Sequence, residues 1–359
     1  MYKVLTYCTL AILSLLSVSC AKPLRWADPQ EPENSGDMVT VLFSAAGTAG
    51  SKATGISDES ERSVGRWAVF AFDDSSNWFR YATSESGGEI AMNLHAGRQY
   101  TCYAIVNYST SGTGAFVPAT ITQPSQIKTK VAYLGDNAIG RLLMFGSVTI
   151  TPVPGTQDCH IEVRRIVSRI NITGISVDFS AKPHLAEKTF TLRHVYITNA
   201  YRTTPYWNDY SAAQLSDART AWYNSGGWHR GENAETSMDA LLGQRNINTV
   251  ITADTPYNVP LSFYAFPCPV TVKNDNHNMD AWTRRCTRLI IEATLGDETL
   301  YYQINVPEME RNYVYSATNI VIHGRGSSDP EIVDIGPDVL DLSFDINDGW
   351  DGNDNELNL

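Results

Sequence analysis

The sequence predicts an all-β protein built from two β-sandwich domains in tandem. Short apolar or alternating runs recur along the chain, and clusters of Gly, Pro, Asn, Asp and Ser separate them, which is typical of sandwiches rather than of βαβ units. Tyrosine outnumbers phenylalanine, 18 to 11, and aromatic side chains of this kind favour a pleated sheet surface. At roughly 150 residues per domain, the 359 residues correspond to two domains.

The apolar patterns locate the individual strands. Val39, Val41 and Phe43 alternate with more polar neighbours, which predicts a half-buried first strand. A loop rich in Gly and Ser follows over residues 47–65, and residues 67–72 are apolar on both faces, as in a central strand. Further strands are expected at residues 100–108, 148–153, 190–198, 261–266, 286–295 and 300–306.

The predicted domain boundary lies close to a stretch whose apolar residues fit both a helix and a strand. Apolar residues within 163–170 have helical spacing, but the flanking residues are rich in β-branched side chains and Gly174 interrupts any long helix. We therefore expect a strand with a bulge near Arg164 and Arg165, or a crossing between domains. Proline and glycine within 152–156 mark the boundary, which predicts an N-terminal domain at 38–156 and a C-terminal domain at 157–359.

Residues 200–246 are predicted to form a partly helical insertion in the second domain. Tyrosine and tryptophan crowd a segment that otherwise consists of small and polar residues. Exposed aromatic rings can form binding surfaces, so Trp207, Trp222 and Trp228 are a candidate ligand platform. The alternative is a satellite aromatic cluster that fixes this long loop to its own domain.

The N-terminus predicts export and lipid attachment. Lys3 precedes an apolar run over residues 4–18, which fits the apolar region of a signal peptide at residues 1–19. The run ends in Ser19 and Cys20, similar to a bacterial lipoprotein box with Cys20 as the acylated first residue. An ordinary signal peptide is the alternative. Prolines then predict that residues 20–37 form an extended tether.

Charge and motifs argue against several classes of function. The net charge of −12 opposes a general electrostatic attraction to nucleic acid, so no nucleic-acid partner is expected. The histidines are scattered, and no nucleophile elbow, phosphate-binding loop or dinucleotide-binding motif is found. The sequence therefore predicts no enzyme, no metal site and no cofactor. An envelope hydrolase stays an alternative because residues distant in sequence can meet in space.

Four cysteines remain beyond the signal peptide and the lipoprotein box. None forms a C-x-x-C pair, which argues against a zinc site. Disulfides, with three pairings, and buried free thiols are both open interpretations for Cys102, Cys159, Cys268 and Cys286.

Several of these strands together resemble the Bacteroidetes fimbrillins, which are the subunits and anchors of type V pili. The resemblance is carried by their shared order and covers most of residues 38–350. The matching segments are residues 69–73, 97–107, 143–146, 163–170, 261–267, 287–291, 301–304, 311–315 and 320–330.

The resemblance implies two transthyretin-like β-sandwich domains in a lipoprotein exposed at the cell outer membrane or in the fimbrium, with a role in cell adhesion. It also implies assembly with other fimbrillin subunits by strand exchange, after an Arg- or Lys-specific protease removes the first strand. That strand is residues 38–45, and the candidate cleavage residues in the loop behind it are Arg62 and Arg66, with Lys52 upstream.

The candidate donor strand lies near the C-terminus. Its apolar residues are Leu340, Leu342, Phe344 and Ile346, which share one face by their spacing. The alternative is that this segment is the last strand of its own domain, in which case the chain is a terminal subunit or an anchor rather than a repeating stalk. The predicted partners are thus other subunits, the outer membrane, an Arg-specific protease, and host or bacterial surface ligands. The alternative function is a surface glycan-binding lipoprotein that uses the aromatic insertion.

Overall fold

The computed structural model describes residues 37–47, 61–75, 77–225, 239–244, 247–271, 284–331, 335–347 and 354–358. The predicted signal peptide, Cys20, most of the tether, Lys52 and Trp228 lie outside this part of the chain. Strands dominate the described residues, and the helices are about one turn long, so the all-β prediction is confirmed.

The first half of the chain forms a seven-stranded sheet in the order β3-β2-β5-β7-β8-β1-β4. Neighbours are antiparallel except β1 and β8, which run parallel. The strands of this half are β1 (Met38–Gly47), β2 (Trp67–Asp73), β3 (Phe79–Ser84), β4 (Ile90–His95), β5 (Tyr100–Val106), β6 (Val131–Tyr133), β7 (Met144–Ile150) and β8 (Gln157–Arg165).

The second half forms two larger sheets and short ribbons. Its strands are β9 (Ser168–Ile172), β10 (Ile175–Val177), β11 (Phe190–Thr198), β12 (Ala200–Tyr201), β13 (Thr203–Pro205), β14 (Trp222–Tyr223), β15 (Gly243–Gln244), β16 (Thr249–Val250), β17 (Leu261–Ala265), β18 (Arg288–Leu295), β19 (Glu298–Asn305), β20 (Val314–Ile322), β21 (Leu340–Asn347) and β22 (Asp354–Asn358). One sheet has the order β17-β9-β20-β21-β22 with β10 beside β20. The other has the order β15-β11-β18-β19 with β16 beside β11.

The helices connect the strands. The α-helices are α1 (Pro124–Lys128), α2 (Pro183–Ala186) and α3 (Asp239–Leu242), and the 3₁₀ turns are Pro118–Thr120, Leu134–Asp136, Ala212–Gln214 and Arg219–Ala221. Each α-helix is too short to be stable alone, so packing against the sheets must hold it in place. The last two 3₁₀ turns and α3 account for the helical content that the sequence predicts in residues 200–246.

The two faces of β2 contact two different hydrophobic cores, which explains its unbroken apolar sequence. Trp67, Val69 and Ala71 enter a smaller core that is enclosed by β1, β2, β4, β5, β7 and β8. Phe70 and Phe72 enter the main core, which continues between the sheets of the second half. The whole strand is buried, so the prediction of a central strand is confirmed.

The passage from the first sheet to the next occurs at Ile166 and Val167. Strand β8 belongs to the seven-stranded sheet, and β9 begins the next sheet at Ser168. The change of sheet therefore comes later in the chain than the predicted boundary after Thr156, at the place where the apolar period of the sequence shifts. The division into two domains, 38–156 and 157–359, stays a prediction.

Candidate functional site

Strand β1 lies in the interior of the seven-stranded sheet. It pairs antiparallel with β4, where Val41 faces Met92, and parallel with β8, where Val41 faces Gln157. Val41 and Phe43 belong to the smaller core and are fully buried, and Val39 on the same face is 6% exposed. Removing this strand would leave unpaired backbone groups on both neighbours and an apolar slot between them.

The two candidate cleavage residues differ in their surroundings. Arg62 is half-buried and the following Ser63 is exposed. Arg66 is held by Glu85, with 2.6 Å between Nε and Oε2, and the following Trp67 is fully buried at the start of β2. Ser63 after Arg62 is thus more exposed than Trp67 after Arg66, and proteases favour exposed segments. Which of the two bonds is cut stays a prediction.

Asn107 holds the chain immediately after the Arg62–Ser63 bond. Its side-chain amide donates to the main-chain oxygens of Ser63 and Leu142, each at 2.8 Å, and its Oδ1 accepts from the Gly65 amide at 2.9 Å. The residue has φ of 60°, a left-handed conformation that asparagine tolerates better than most residues. The side chain thus links the segment after Arg62 to the end of β5 and the start of β7.

The residue before Arg62 is anchored in a buried ionic cluster. Glu61 is fully buried, and its Oε2 accepts from Arg169 Nη1 at 2.7 Å, in an ion pair whose side chains are 2% and 0% exposed. The Tyr264 hydroxyl donates to Glu61 Oε1, and Arg165 Nε donates to the Glu61 main-chain oxygen at 3.1 Å. Asn312 extends the cluster, since its Oδ1 accepts from the Arg165 amide at 3.2 Å.

Burial and the adjacent carboxylate keep Tyr264 as a hydrogen-bond donor. Burial, and then the negative charge of Glu61, raises the pKa of the Tyr264 hydroxyl well above its ordinary value of 10.0. The neutral hydroxyl and the Arg169 guanidinium group therefore contact the Glu61 carboxylate, and Arg165 contacts the main-chain oxygen of the same residue. Such a cluster is strongly disfavoured when one partner leaves, because a charge then stays buried beside fewer opposite charges.

Sequence reasoning missed this cluster because its members come from distant segments. Glu61 is 104 residues from Arg165 and 203 residues from Tyr264. One feature of the sequence does indicate the cluster. Arg165 and Arg169 lie inside a run of β-branched apolar residues, where a buried charge requires a partner.

The candidate donor strand is paired within its own sheet. Strand β21 lies between β20 and β22, antiparallel to both. Leu340 and Phe344 are 7% and 0% exposed, and Leu342 and Ile346 pack against the main core. The four apolar residues thus share one face, as their spacing predicts. Whether this strand is donated to another subunit stays a prediction.

The two described tryptophans of the candidate platform, Trp207 and Trp222, do not share a surface. Trp207 is 38% exposed, its ring packs edge-on against Tyr103 and Phe145, and Lys128 Nζ lies 5.0 Å from its centroid. Trp222 is fully buried, and its Nε1 donates to the Ser216 main-chain oxygen at 2.9 Å. Trp228 lies outside the described residues. Trp222 therefore offers no ring face to a ligand, which fits the alternative of a cluster that fixes the loop.

The remaining candidate chemistry is sparse in the described part of the chain. The cysteines Cys102, Cys159, Cys268 and Cys286 are buried free thiols, and burial raises the pKa of the Cys159 thiol to about 11. Among the residues described, no group of His, Cys, Asp or Glu side chains is arranged to hold a metal ion. None of the described helices has the length and apolar character needed to cross a bilayer.

Solved structures from Bacteroidetes are similar over most of the chain. One from Parabacteroides distasonis, described as a "putative cell adhesion protein", has a TM-score of 0.60 at 14% identity and covers 88% of this chain and 99% of its own. Another with the same description, from Bacteroides eggerthii, has a TM-score of 0.59 at 14% identity and covers 87% and 96%. A fimbrilin from Porphyromonas gingivalis has a TM-score of 0.54 at 15% identity and covers 88% and 98%.

No family model and no curated protein sequence matches this chain. At these sequence identities the structural similarity establishes the fold and leaves the activity to be argued from the residues. The chain has the fold of the Bacteroidetes fimbrillins, as the order of its strands in the sequence predicts.

Proposed function

We propose that this chain is a structural fimbrial subunit for cell adhesion that accepts a strand from a neighbouring subunit in place of β1. The observation that carries the proposal is the position of β1 between β4 and β8, upstream of the exposed residue Ser63. The fimbrilin and adhesion descriptions of the similar structures support this role. In this proposal the chain consists of two transthyretin-like domains and performs no catalysis.

The proposed activation is hydrolysis of the Arg62–Ser63 bond by an Arg-specific protease. Water adds across the peptide bond, so the upstream segment ends in a carboxylate at Arg62 and the remaining body begins with an amine at Ser63. The segment upstream of Ser63 can then leave, and a donated strand can replace the main-chain hydrogen bonds and inward side chains of β1. The proposal includes lipid attachment at Cys20 to the outer membrane before cleavage.

The packing of β21 bears on whether the chain also donates a strand. A strand that buries Phe344 completely and pairs with both β20 and β22 is costly to release. A subunit that accepts a strand but keeps its own stands at the end of a filament as a tip, because the cleavage also removes the lipidated Cys20. A subunit that also releases β21 would form head-to-tail contacts that extend into a filament.

Arg-specific proteolysis of the soluble form, beginning after Cys20, tests the proposal. We expect a new N-terminus at Ser63, which Arg62→Gln abolishes and Arg66→Gln leaves unchanged. Cleavage without higher species on unboiled gels would indicate a terminal acceptor, and a ladder would indicate a repeating stalk. Resistance of the Arg62–Ser63 bond would contradict strand removal in this chain.

A second candidate function is glycan binding at Trp207. Its partly exposed ring and the nearby Lys128 ammonium group are the observation that favours it. Retardation in affinity gels containing polysaccharide, lost in Trp207→Ala and retained in Val117→Ala, would support this function. Val117 is also exposed, at 49%, and serves as the matched surface control. Equal mobility of both variants and the parent in every gel would exclude Trp207 as a sugar platform.

A further inference from the structure

We propose that the buried pocket now filled by Glu61 is a carboxylate-binding site for the donated strand of a second copy of this chain. The inference rests on the proposed function, because the pocket is vacated only when the segment before Ser63 leaves. The site adds a requirement for a negative charge to a strand exchange that otherwise depends on backbone hydrogen bonds and apolar side chains. Arg169 and Tyr264 contact the Glu61 carboxylate, and Arg165 contacts the Glu61 main-chain oxygen.

Charge is the first argument for this site. Cleavage after Arg62 places Glu61 on the departing segment, whereas Arg165, Arg169 and Tyr264 stay with the body. The departure removes the carboxylate paired with Arg169, whose side chain is 2% exposed, and the main-chain oxygen that accepts from Arg165. Buried cations are strongly destabilised by the loss of a carboxylate, so an acceptor that keeps its fold favours a new anion at this position.

Position is the second argument. The pocket begins where the groove of β1 ends, since Gly47 is opposite Val163 on β8 and Arg165 is two residues further along β8. A strand that takes the place and direction of β1 therefore reaches Arg165 within two residues after the position of Gly47. An acidic side chain at or just after this point lies within reach of the pocket.

The C-terminal sequence of the chain itself has the required pattern. When Leu340, Leu342, Phe344 and Ile346 take the inward positions of Val39, Val41, Phe43 and Ala45, Asp348 falls at the position of Gly47. Trp350 then falls at the level of Arg165, and Asp351 is one residue beyond it. A second copy thus offers four apolar side chains for the slot and two carboxylates for its end.

Binding of peptides to the cleaved body tests the site without any amino-acid substitution in the protein. The body is cut after Arg62 and separated from the whole segment before Ser63, and the probe is a fluorescent peptide of residues 338–353. We expect D348N/D351N in the peptide to weaken binding by about tenfold or more, as the loss of a charge-assisted hydrogen bond does. The control D341N/D345N removes the same charge from the opposite face of the strand, and should change the affinity by less than about threefold.

The outcomes separate this inference from the proposed function. Equal affinities for the two double variants would overturn the carboxylate site and leave strand exchange standing. Failure of every peptide to bind the cleaved body would overturn both. A further test measures how two salts compete with the parent peptide for the cleaved body. Acetate should compete more strongly than chloride at the same ionic strength, because the pocket accepts a carboxylate. Equal competition by the two salts would contradict this specificity.

Discussion

Replacing Phe43 with alanine should loosen β1 far more than the same change at its neighbour Leu42. Phe43 is fully buried between Ile90 of β4 and Cys159 of β8, whereas Leu42 is half-buried on the opposite face. Truncation of a buried phenylalanine costs about 3–5 kcal/mol, through lost transfer energy and the cavity left behind. Leu42→Ala should cost about 1 kcal/mol, since its side chain is already partly hydrated.

The same energy appears in two forms, depending on the covalent state of the chain. In the intact chain it lowers the free energy of unfolding, which urea titration of both variants measures. In the chain cut after Arg62, the segment carrying β1 is held without a covalent link, so about 4 kcal/mol corresponds to about a thousandfold loss of affinity. Gel filtration of the cut protein reports whether the fragment stays bound.

The comparison of Phe43→Ala with Leu42→Ala can refute the assignment. If the two variants lose equal stability, the inward face of β1 does not contribute as its burial indicates. If Phe43→Ala lowers stability but the cut fragment of both variants dissociates at the same rate, β1 does not govern retention of residues 37–62.

Three further predictions concern the surroundings of the candidate site. Asn107→Gly should destabilise the chain by about 2–4 kcal/mol, because it removes three hydrogen bonds. Asn107→Ala should cost about 1 kcal/mol more, because alanine disfavours positive φ. Urea unfolding measures both variants, and equal losses would contradict the argument from φ. Gly146→Ala should cost about 3 kcal/mol or more, because an added Cβ would overlap the main-chain oxygen of Glu162 on β8; an unchanged urea midpoint would contradict that packing. Burial raises the pKa of Tyr108 from 10.0 to about 12, so the folded state holds this proton more tightly than the unfolded state. The free energy of unfolding should therefore be unaffected below about pH 10 and fall as the pH rises toward 12. Tyrosinate absorbance should rise together with unfolding. Gradual ionisation of Tyr108 in the folded protein would contradict the prediction.

Local sequence patterns predicted those strands whose position depends only on which side chains are buried. The alternation of Val39, Val41 and Phe43 requires one buried face, and the apolar run of β2 requires two, because a hydrophobic side chain in a strand points to a fixed face. The structure supplies both environments in two separate cores.

Pairings between distant segments could not be read in the same way. That β1 runs parallel to β8 depends on the path of the chain over more than a hundred residues, and no local pattern encodes it. Glu61 stands in a polar loop sequence, where an acidic residue usually faces solvent. Trp222 shows the converse, since a tryptophan in a Gly- and Ser-rich segment resembled a surface ring but is fully buried.

The Arg62–Ser63 bond lies between two anchors that belong to different parts of the molecule. Glu61 fixes the upstream side in the buried ionic cluster, and Asn107 fixes the downstream side through the Ser63 main-chain oxygen. A protease must bind several extended residues, so at least the upstream anchor has to open briefly before cleavage. After cleavage each side keeps its own anchor, and the cut chain can hold β1 in place without a covalent link. Cleavage alone then does not empty the groove. In the proposed exchange, a donor that supplies both apolar side chains and a carboxylate would replace both attachments of the departing segment. It would therefore displace that segment more effectively than a donor that fills the slot only.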